Sequence, residues 1–156
     1  MYDELLNKNN SDYLQNIEYV LNNLCNDTKE ELIRLFGKKY FVNTFEIIDN
    51  TEIHIIKLEK NNEPVGLYGI IPQSETSAGI YLLTTDNLHK GNIFKFLRTA
   101  KKQVSVWSKK YKLLMDNLYK KNKTIMKWLL LLGFKPSEHE NENFQIYYIG
   151  DINEYN

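Results

Sequence analysis

Residues 122–134 read "NKTIMKWLLLLGF", and they decide the fold because they carry the signals for both ends of a helix. Asn122 is a residue type that caps helix N-termini, and Gly133 suits the left-handed backbone that ends a helix. Phe134 stands where an apolar residue folds back on the last turn. The stretch therefore predicts a buried helix with defined ends, placed directly after the strand-sized, mostly apolar run "KLLMDNLY" (112–119).

Composition indicates a folded protein. The chain has 156 residues, 42% of them hydrophobic and 26% charged, which is enough apolar material for one globular core. There are no internal repeats, linkers or low-complexity segments. We expect a single domain over residues 1–156, with residues 1–10 and 151–156 at its periphery.

The charge is unevenly distributed although the formal net charge is zero. Twelve of the 20 basic residues lie between Lys90 and Lys127, where Asp116 is the one acid. A solvated basic helix face and a site for a phosphate-bearing ligand both fit this pattern. The Lys-rich region 101–123 could contact phosphates, but the chain has no nucleic-acid motif, so we expect no specific nucleic-acid partner.

The single cysteine, Cys25, has no internal disulfide partner and favours a reducing compartment. Its setting, "YVLNNLCN", is typical of the apolar face of a helix, which makes it a poor candidate for a nucleophile. The chain has neither a signal-peptide pattern nor a run of about 18 apolar residues. We expect a soluble protein, intracellular or associated with a particle, without a membrane segment.

The first third of the chain predicts helices. "SDYLQNIEYVLNNL" (11–24) has helical spacing with Ser11 or Asp12 as cap, and "DTKEELIRLFG" (27–37) has Asp27 or Thr28 as cap and Gly37 as terminator. "KKYFVNTFEIIDN" (38–50) fits a helix or a strand, and we interpret it as a helix. The predicted apolar positions of the first two helices are Leu14, Ile17, Val20, Leu21 and Leu24, then Leu32, Ile33, Leu35 and Phe36.

The middle and end of the chain predict an α/β arrangement. "TEIHIIKLEK" (51–60), "VGLYGIIP" (65–72) and "AGIYLLTT" (78–85) are three strands with short connections, which favours an antiparallel meander. "GNIFKFLRTAKKQVSVWSKK" (91–110) is a long amphipathic helix, so the strand at 112–119 should lie parallel to the previous one. "NFQIYYIG" (143–150) is the last strand.

This order of elements resembles the GNAT acyltransferase fold, an α/β fold with a mixed, mostly antiparallel sheet flanked by helices. In that family a strand precedes a helix of pattern N-x-x-A-x-x-x-Y-x-x-x-G-F, and Asn122, Gly133 and Phe134 match it in spacing. The resemblance implies an acyl-coenzyme-A-dependent N-acetyltransferase fold with an opening between the strands that begin near residues 78 and 112.

A narrower resemblance is to a phage branch of that fold, the internal virion protein A family of short-tailed phages. It rests on "NIEYVLNNLCNDTKEELIRLFG", "NNEPVGLYGIIP", "IYLLTTDNL", "FLRTAKK" and "NKTIMKWLLLLGF", across about residues 12 to 150. It implies a virion or assembly component with lost or weak catalysis, located in the virion interior or the host cytoplasm. Its partners would be other phage virion proteins, and its alternative is an active transferase acting on a small amine or a host protein.

The resemblance also implies a site for acetyl-CoA and none for a metal. The family binds the coenzyme pyrophosphate on backbone N–H groups at the start of the long helix, through the signature Gln/Arg-x-x-Gly-x-Gly/Ala. Here the loop is "TTDNLHKGNIF" (84–94), with one glycine, so the full signature is missing. His89 in this loop fits an exposed position or a pH-sensitive ligand contact. The residues implied for the coenzyme are Leu83, Thr84, Thr85, Lys90, Gly91, Asn92 and Asn122.

Catalytic groups are not assigned. The tyrosine that protonates the leaving thiolate in the family corresponds to Leu129, which carries no proton, and Trp128 beside it does not titrate. Tyr68 and Tyr81 could move protons only with a much reduced pKa. The acids near strand ends, each more typical of a solvated surface charge than of a base, are Glu59, Glu63, Glu75 and Asp86. The three histidines have no metal-site spacing.

Overall fold

The structure is a computed structural model that describes residues 1–91 and 93–155. Within these residues the helices are α1 (Tyr13–Asn22), α2 (Asn26–Phe36), α3 (Tyr40–Ile48), α4 (Asp86–His89), α5 (Ile93–Lys110) and α6 (Lys123–Leu131). The strands are β1 (Tyr2–Leu5), β2 (Glu52–Lys57), β3 (Pro64–Pro72), β4 (Ser77–Thr84), β5 (Leu113–Tyr119), β6 (Lys135–Glu140) and β7 (Phe144–Gly150).

The described strands form one sheet in the order β1-β2-β3-β4-β5-β7-β6. β4 and β5 are parallel, whereas β1–β2, β2–β3, β5–β7 and β6–β7 are antiparallel. The predicted α/β class, a mixed and mostly antiparallel sheet flanked by helices, is confirmed. The helical interpretation of residues 38–50 is confirmed as well, since α3 begins at Tyr40.

The chain divides into two compact units. The first consists of Met1–Ile70 and Tyr81–Phe96, and the second of Ile71–Ile80 and Leu97–Asn156. The single domain over residues 1–156 stays a prediction.

In the first unit, the apolar sides of α1, α2 and α3 and residues of β2, β3 and β4 form one hydrophobic core. Because successive strand residues face opposite sides, Ile53 and Ile55 of β2 join this core while His54 and Ile56 face the other way. The buried members of the core are Leu6, Tyr13, Ile17, Val20, Leu21, Leu32, Ile48, Ile53, Ile55, Leu67 and Leu83.

Some predicted core positions of α1 and α2 are wrong. Leu14 is 52% exposed, because Tyr13 and Ile17 occupy the buried stripe of α1. In α2 the buried stripe consists of Thr28 and Leu32, so Ile33 and Leu35 lie beside it and are exposed. The predicted cap of α2 is also wrong, since the helix begins at Asn26 and the capping position is Cys25.

β1 was not predicted, and polar contacts attach it to the sheet. Asp3 Oδ1 lies 2.9 Å from His54 Nδ1, Glu52 Oε2 lies 2.8 Å from His54 Nε2, and the Tyr68 hydroxyl donates to Asp3 Oδ2. Carboxylates only accept hydrogen bonds, so both ring nitrogens of His54 donate and the imidazole is held protonated. Burial lowers the pKa of His54, but the hydrogen bonds to Asp3 and Glu52 outweigh it and raise the pKa overall.

The second unit contains α6, whose ends form as predicted. Asn122 Oδ1 accepts from the N–H of Ile125 at 3.4 Å, and Gly133 has φ of +101°. The N–H groups of Gly133 and Phe134 donate to the carbonyls of Leu130 and Leu129 at 3.1 and 2.9 Å, which is the Schellman pattern. The helix is less buried than its composition indicates, because Leu130 and Leu131 are about half exposed.

β6 was also missed. Its sequence, "KPSEHE", is polar because its side chains are mostly exposed along an edge strand. Pro136 is tolerated there because an edge position leaves one side of the backbone without a partner strand. In α5, the predicted amphipathic pattern is confirmed by the burial of Leu97, Ala100, Val104 and Trp107.

Candidate functional site

The parallel ladder between β4 and β5 is short. It consists of Ser77 with Leu113, Ala78 with Leu114, and Gly79 with Met115, and in the described residues it ends there. β5 continues to Tyr119 and stays paired along its other edge with β7. Asp116 is therefore the first residue of β5 beyond the last pair with β4.

Asp116 is the acid whose chemistry is most altered by the fold. Its side chain is half-buried, and in the described part of the chain its carboxylate has no hydrogen bond or ion pair. Burial raises its pKa from the ordinary 3.8 to about 7. Opposite it on β7, burial also raises the pKa of Tyr147. A carboxyl group with a pKa near 7 can both accept and return a proton at neutral pH, as general acid–base catalysis requires.

The acids that the sequence placed near strand ends lie at the protein surface. Glu59 lies 2.6 Å from Lys95 Nζ, and the N–H groups and charge of that lysine lower its pKa. Glu63 accepts from Asn87 Nδ2 at 2.6 Å. Glu75 and Asp86 are exposed. Glu59, Glu75 and Asp86 are thus exposed as expected of solvated charges, whereas Glu63 is partly buried and lines a surface pocket.

Tyr68 and Tyr81 do not have the reduced pKa that proton transfer from their hydroxyls would require. Burial and the hydrogen bond to Asp3 raise the pKa of Tyr68, and burial raises that of Tyr81. Both hydroxyls therefore stay protonated near neutral pH.

The end of β4 holds three of the residues implied for the coenzyme. Leu83 belongs to the core of the first unit, Thr84 is fully buried, and Thr85 Oγ1 donates to the carbonyl of Val65 at 2.7 Å. The side chains of these three residues therefore point into the protein interior. Their contact with a coenzyme stays a prediction.

The segment between α1 and α2 lies against this strand end. The N–H of Cys25 donates to the carbonyl of Thr84 at 2.9 Å, and Leu24 bridges Thr85 in antiparallel register. The N–H of Thr85 bonds Val65 of β3, and neighbouring residues of a strand direct their backbone groups to opposite edges. The Cys25 segment therefore occupies the edge of β4 that β3 does not use.

The Cys25 side chain is surrounded by polar groups, which corrects its predicted place on an apolar helix face. Its Sγ lies 3.3 Å from both Thr28 Oγ1 and Thr84 Oγ1, and Thr84 Oγ1 lies 3.1 Å from His89 Nε2. His89 is exposed, as expected, and it also takes part in this cluster. Sequence spacing gives no signal for the cluster because Cys25 and Thr84 are 59 positions apart.

The loop that follows β4 contains α4 and then Lys90 and Gly91. These two residues line a surface pocket of about 210 Å³, together with Leu58, Lys60, Asn61, Glu63 and Asn87. The atom nearest to a side chain at position 91 would be the terminal methyl group of Met1, which can rotate away, so packing alone does not require glycine there. Asn92, also implied for the coenzyme, lies outside the described residues.

Asn122, in the second unit, has an unusual side chain. It is 1% exposed, and its Nδ2 has no hydrogen-bond partner among the residues that the structure describes. An unpaired buried amide donor is costly unless water or a ligand satisfies it. Leu129, where the family places its tyrosine, is fully buried, and Trp128 is buried as expected of a core aromatic.

The remaining cavity of note is in the second unit. It measures about 340 Å³ and is lined by Asn117, His139, Glu140, Asn141, Phe144, Ile146 and Tyr155. Among the described residues, no group of His, Cys, Asp and Glu side chains could hold a metal ion. In the same part of the chain, none of the helices combines the length and apolarity needed to cross a bilayer.

Comparison with known proteins gives a fold. No protein-family model and no curated protein matches the chain. The Campylobacter jejuni N-acetyltransferase PseH in complex with acetyl coenzyme A matches with a TM-score of 0.59 and 17% identity, over 96% of this chain and 99% of that one. The GNAT domain of S. lividans PAT matches with a TM-score of 0.68 and 10% identity, over 94% and 88%.

Spermidine N-acetyltransferase from Vibrio cholerae, in complex with CoA and spermine, matches with a TM-score of 0.61 and 12% identity, over 95% of this chain and 94% of that one. At such identities the likeness establishes architecture alone. The comparisons contain no support for the phage branch, which stays a prediction. The chain has the fold of the GNAT N-acetyltransferases.

Proposed function

We propose that this protein is an acyl-CoA-dependent N-acyltransferase with Asp116 as its general base. The observation that carries the proposal is the half-buried Asp116 carboxyl group, with its pKa raised to about 7, directly beyond the last β4–β5 pair. The fold of N-acetyltransferases, among them proteins solved with acetyl-CoA or CoA, supports the class of reaction.

The proposed chemistry centres on two proton transfers at Asp116. Bound acyl-CoA supplies a thioester whose carbonyl carbon accepts the amine nitrogen and whose carbon–sulfur bond then breaks. An amine is mostly an ammonium ion at neutral pH, so the Asp116 carboxylate first removes one proton and makes the nitrogen nucleophilic. The protonated Asp116 then returns that proton to the leaving thiolate, because Leu129 has none to give, and a second ammonium proton passes to water.

Coenzyme contacts are proposed for Leu83, Thr84, Thr85, Lys90, Gly91, Asn92 and Asn122. Lys90 supplies a cation in the segment before α5, where a helix N-terminus favours phosphate. The unpaired Nδ2 of Asn122 is a donor in need of an acceptor, and coenzyme A is rich in acceptors. No catalytic step depends on these contacts.

Calorimetric titration with acetyl-CoA and a transfer assay on a panel of primary amines test the proposal. We expect binding that weakens when Lys90 or Asn122 is changed, and amine acetylation that is lost in Asp116→Asn while binding is kept. Binding without any acetylation across amines, amino sugars and lysine peptides would contradict the role of Asp116. Absence of binding would contradict the whole proposal.

A second function is a phage virion or assembly component with the GNAT fold and lost or weak catalysis. The buried Leu129 at the position of the family's tyrosine favours it, as does the single glycine of the 84–94 loop. Its partners would be other virion proteins, inside the particle or in the host cytoplasm. Mass spectrometry of purified particles tests it, and absence of the protein from them would exclude this function.

A further inference from the structure

Cys25 lies among polar side chains instead of apolar ones. It is a free cysteine, 8% exposed, directly before the first residue of α2. Its Sγ is within 3.3 Å of the hydroxyls of Thr28 and Thr84, and those hydroxyls are 3.1 Å apart. A structural cysteine packs against carbon and stays inert, whereas this one is placed to exchange its proton.

His89 supplies the partner for that exchange. It is the last residue of α4, and its Nε2 lies 3.1 Å from Thr84 Oγ1, which in turn lies 3.3 Å from Cys25 Sγ. Because the His89 side chain is exposed, it can pass protons to and from water. A thiol that is linked to an imidazole through a bridging hydroxyl can lose its proton to that base, as an activated nucleophile requires.

The ionisation of the thiol agrees with this geometry. Burial raises the pKa of Cys25, but the neighbouring polar side chains of His89, Thr28 and Thr84 and the backbone of Thr28 outweigh it and lower the pKa to about 7. The start of a helix adds in the same direction because its dipole favours a negative charge. A larger share of the thiol is therefore thiolate at neutral pH than in an ordinary cysteine.

The position of the thiol suggests its reaction partner. The backbone N–H of Cys25 donates to the carbonyl of Thr84, so the residue is attached to the strand end proposed to contact the acyl donor. Acyl thioesters are soft electrophiles that react with thiolates by exchange, without any oxidant or reductant.

We propose that Cys25 is an acyl-accepting nucleophile, that His89 is its base, and that its ligand is the acyl group of a thioester. This inference rests on the proposed acyl-CoA donor but not on Asp116. The thiol gives its proton to the His89 imidazole through the Thr84 hydroxyl, and Sγ forms a bond to the acyl carbon. The bond from that carbon to the coenzyme A sulfur breaks, and the leaving thiolate takes the proton from His89. The products are S-acyl-Cys25 and free coenzyme A.

The test is incubation of the full chain with acetyl-CoA in the absence of amine, followed by peptide mass spectrometry. We expect a hydroxylamine-sensitive acetyl group on Cys25, formed about tenfold more slowly at pH 7 in His89→Gln because the pKa of the thiol then rises. The rate of alkylation by iodoacetamide should have its midpoint near pH 7 in the wild type and at higher pH in His89→Gln. His139→Gln, which changes an exposed histidine outside the cluster, is the matched control and should leave both rates unchanged.

Circular dichroism establishes that Cys25→Ser and Cys25→Ala are folded, and both should lose the adduct. If acetyl-CoA gives calorimetric heat but no acetyl group on Cys25, this inference is overturned and the proposed function stands. An adduct that forms equally fast in His89→Gln overturns it too. An adduct on Cys25 without acetylation of any amine supports this inference and counts against the role of Asp116. Neither heat nor adduct overturns both.

Discussion

The end of β4 and helix α6 are the two places where the family resemblance expects chemistry, and they differ in kind. At the end of β4, Thr84 lies in a cluster of hydroxyl, thiol and imidazole groups. In α6, Leu129 is fully buried, and the helix ends in a Schellman turn. The difference favours a reactive site at β5 and around the end of β4, and it favours a structural role for α6.

The largest effect on activity is expected when the Asp116 carboxylate of β5 is removed. Asp116→Asn keeps the size of the side chain but has no proton to exchange near pH 7, so kcat/KM should fall by about 100-fold or more. In the wild type, kcat/KM should rise with pH through about 7 and then level off, because the active form is the carboxylate. The measurement is the pH profile of amine acetylation. An unchanged profile in Asp116→Asn would remove Asp116 from the mechanism.

Asp116→Asn should lose activity but gain stability at high pH. The folded pKa of Asp116 is above the unfolded 3.8, so its ionisation opposes folding and stability is lost as pH rises from about 4 to 7. Asp116→Asn should therefore be more stable than the wild type at pH 8, while the two converge at pH 4. Urea denaturation at both values measures this. A variant that is less stable at pH 8 would contradict the desolvated carboxylate.

The structural role of α6 is tested at the missing tyrosine. Leu129→Tyr places a larger, polar side chain in a fully buried site and should lower the free energy of unfolding by about 1–3 kcal/mol without raising activity. The matched control is Leu130→Tyr, one position along, where the side chain is 48% exposed and the change should stay within about 0.5 kcal/mol. Higher turnover in Leu129→Tyr would show that α6 does face the reaction.

Two variants of Asn122 distinguish its role as a helix cap from a role in coenzyme binding. Asn122→Ser keeps an N-cap acceptor and removes the unpaired amide donor, so stability should change by less than about 1 kcal/mol. Asn122→Ala loses the cap and should cost about 1 kcal/mol. If the amide contacts the coenzyme, both variants bind acetyl-CoA more weakly by about the same factor. Full affinity in Asn122→Ser would leave Asn122 as a cap only.

The smallest expected effect concerns β1. The folded pKa of His54 is raised, so its contribution to stability is complete below about pH 6.5 and is lost as pH rises through the folded pKa. His54→Gln should be less stable than the wild type by about 1 kcal/mol at pH 5.5, with a smaller difference at pH 8.5. Urea midpoints at the two values provide the check, and a difference that grows with pH would exclude a protonated His54.

The elements with strong periodicity could be predicted from the sequence. Helix α5 follows from its apolar spacing, and the ends of α6 follow from Asn122 and Gly133, whose local chemistry needs no distant partner. The edge strands β1 and β6 could not be predicted, because β1 is short with two acidic residues and β6 is polar with mostly exposed side chains, so neither has alternating apolar residues. What makes them strands is pairing with residues far along the chain.

The candidate site was predictable only in part, for the same reason. The family resemblance pointed to Thr84, Lys90 and Gly91 by position along the chain. The altered chemistry of Cys25 and Asp116 arises from burial and from partners that folding brings together, and neither leaves a spacing in the sequence. A signal was present for Asp116, since it is the one acid in a mostly apolar strand.

Acetyl-CoA binding is the requirement that every catalytic claim shares, and isothermal titration calorimetry of the full chain measures it most directly. We predict one site per chain with a dissociation constant below about 100 μM, and equal affinity in Asp116→Asn because that side chain acts on the amine. No heat with about 1 mM acetyl-CoA would contradict the account.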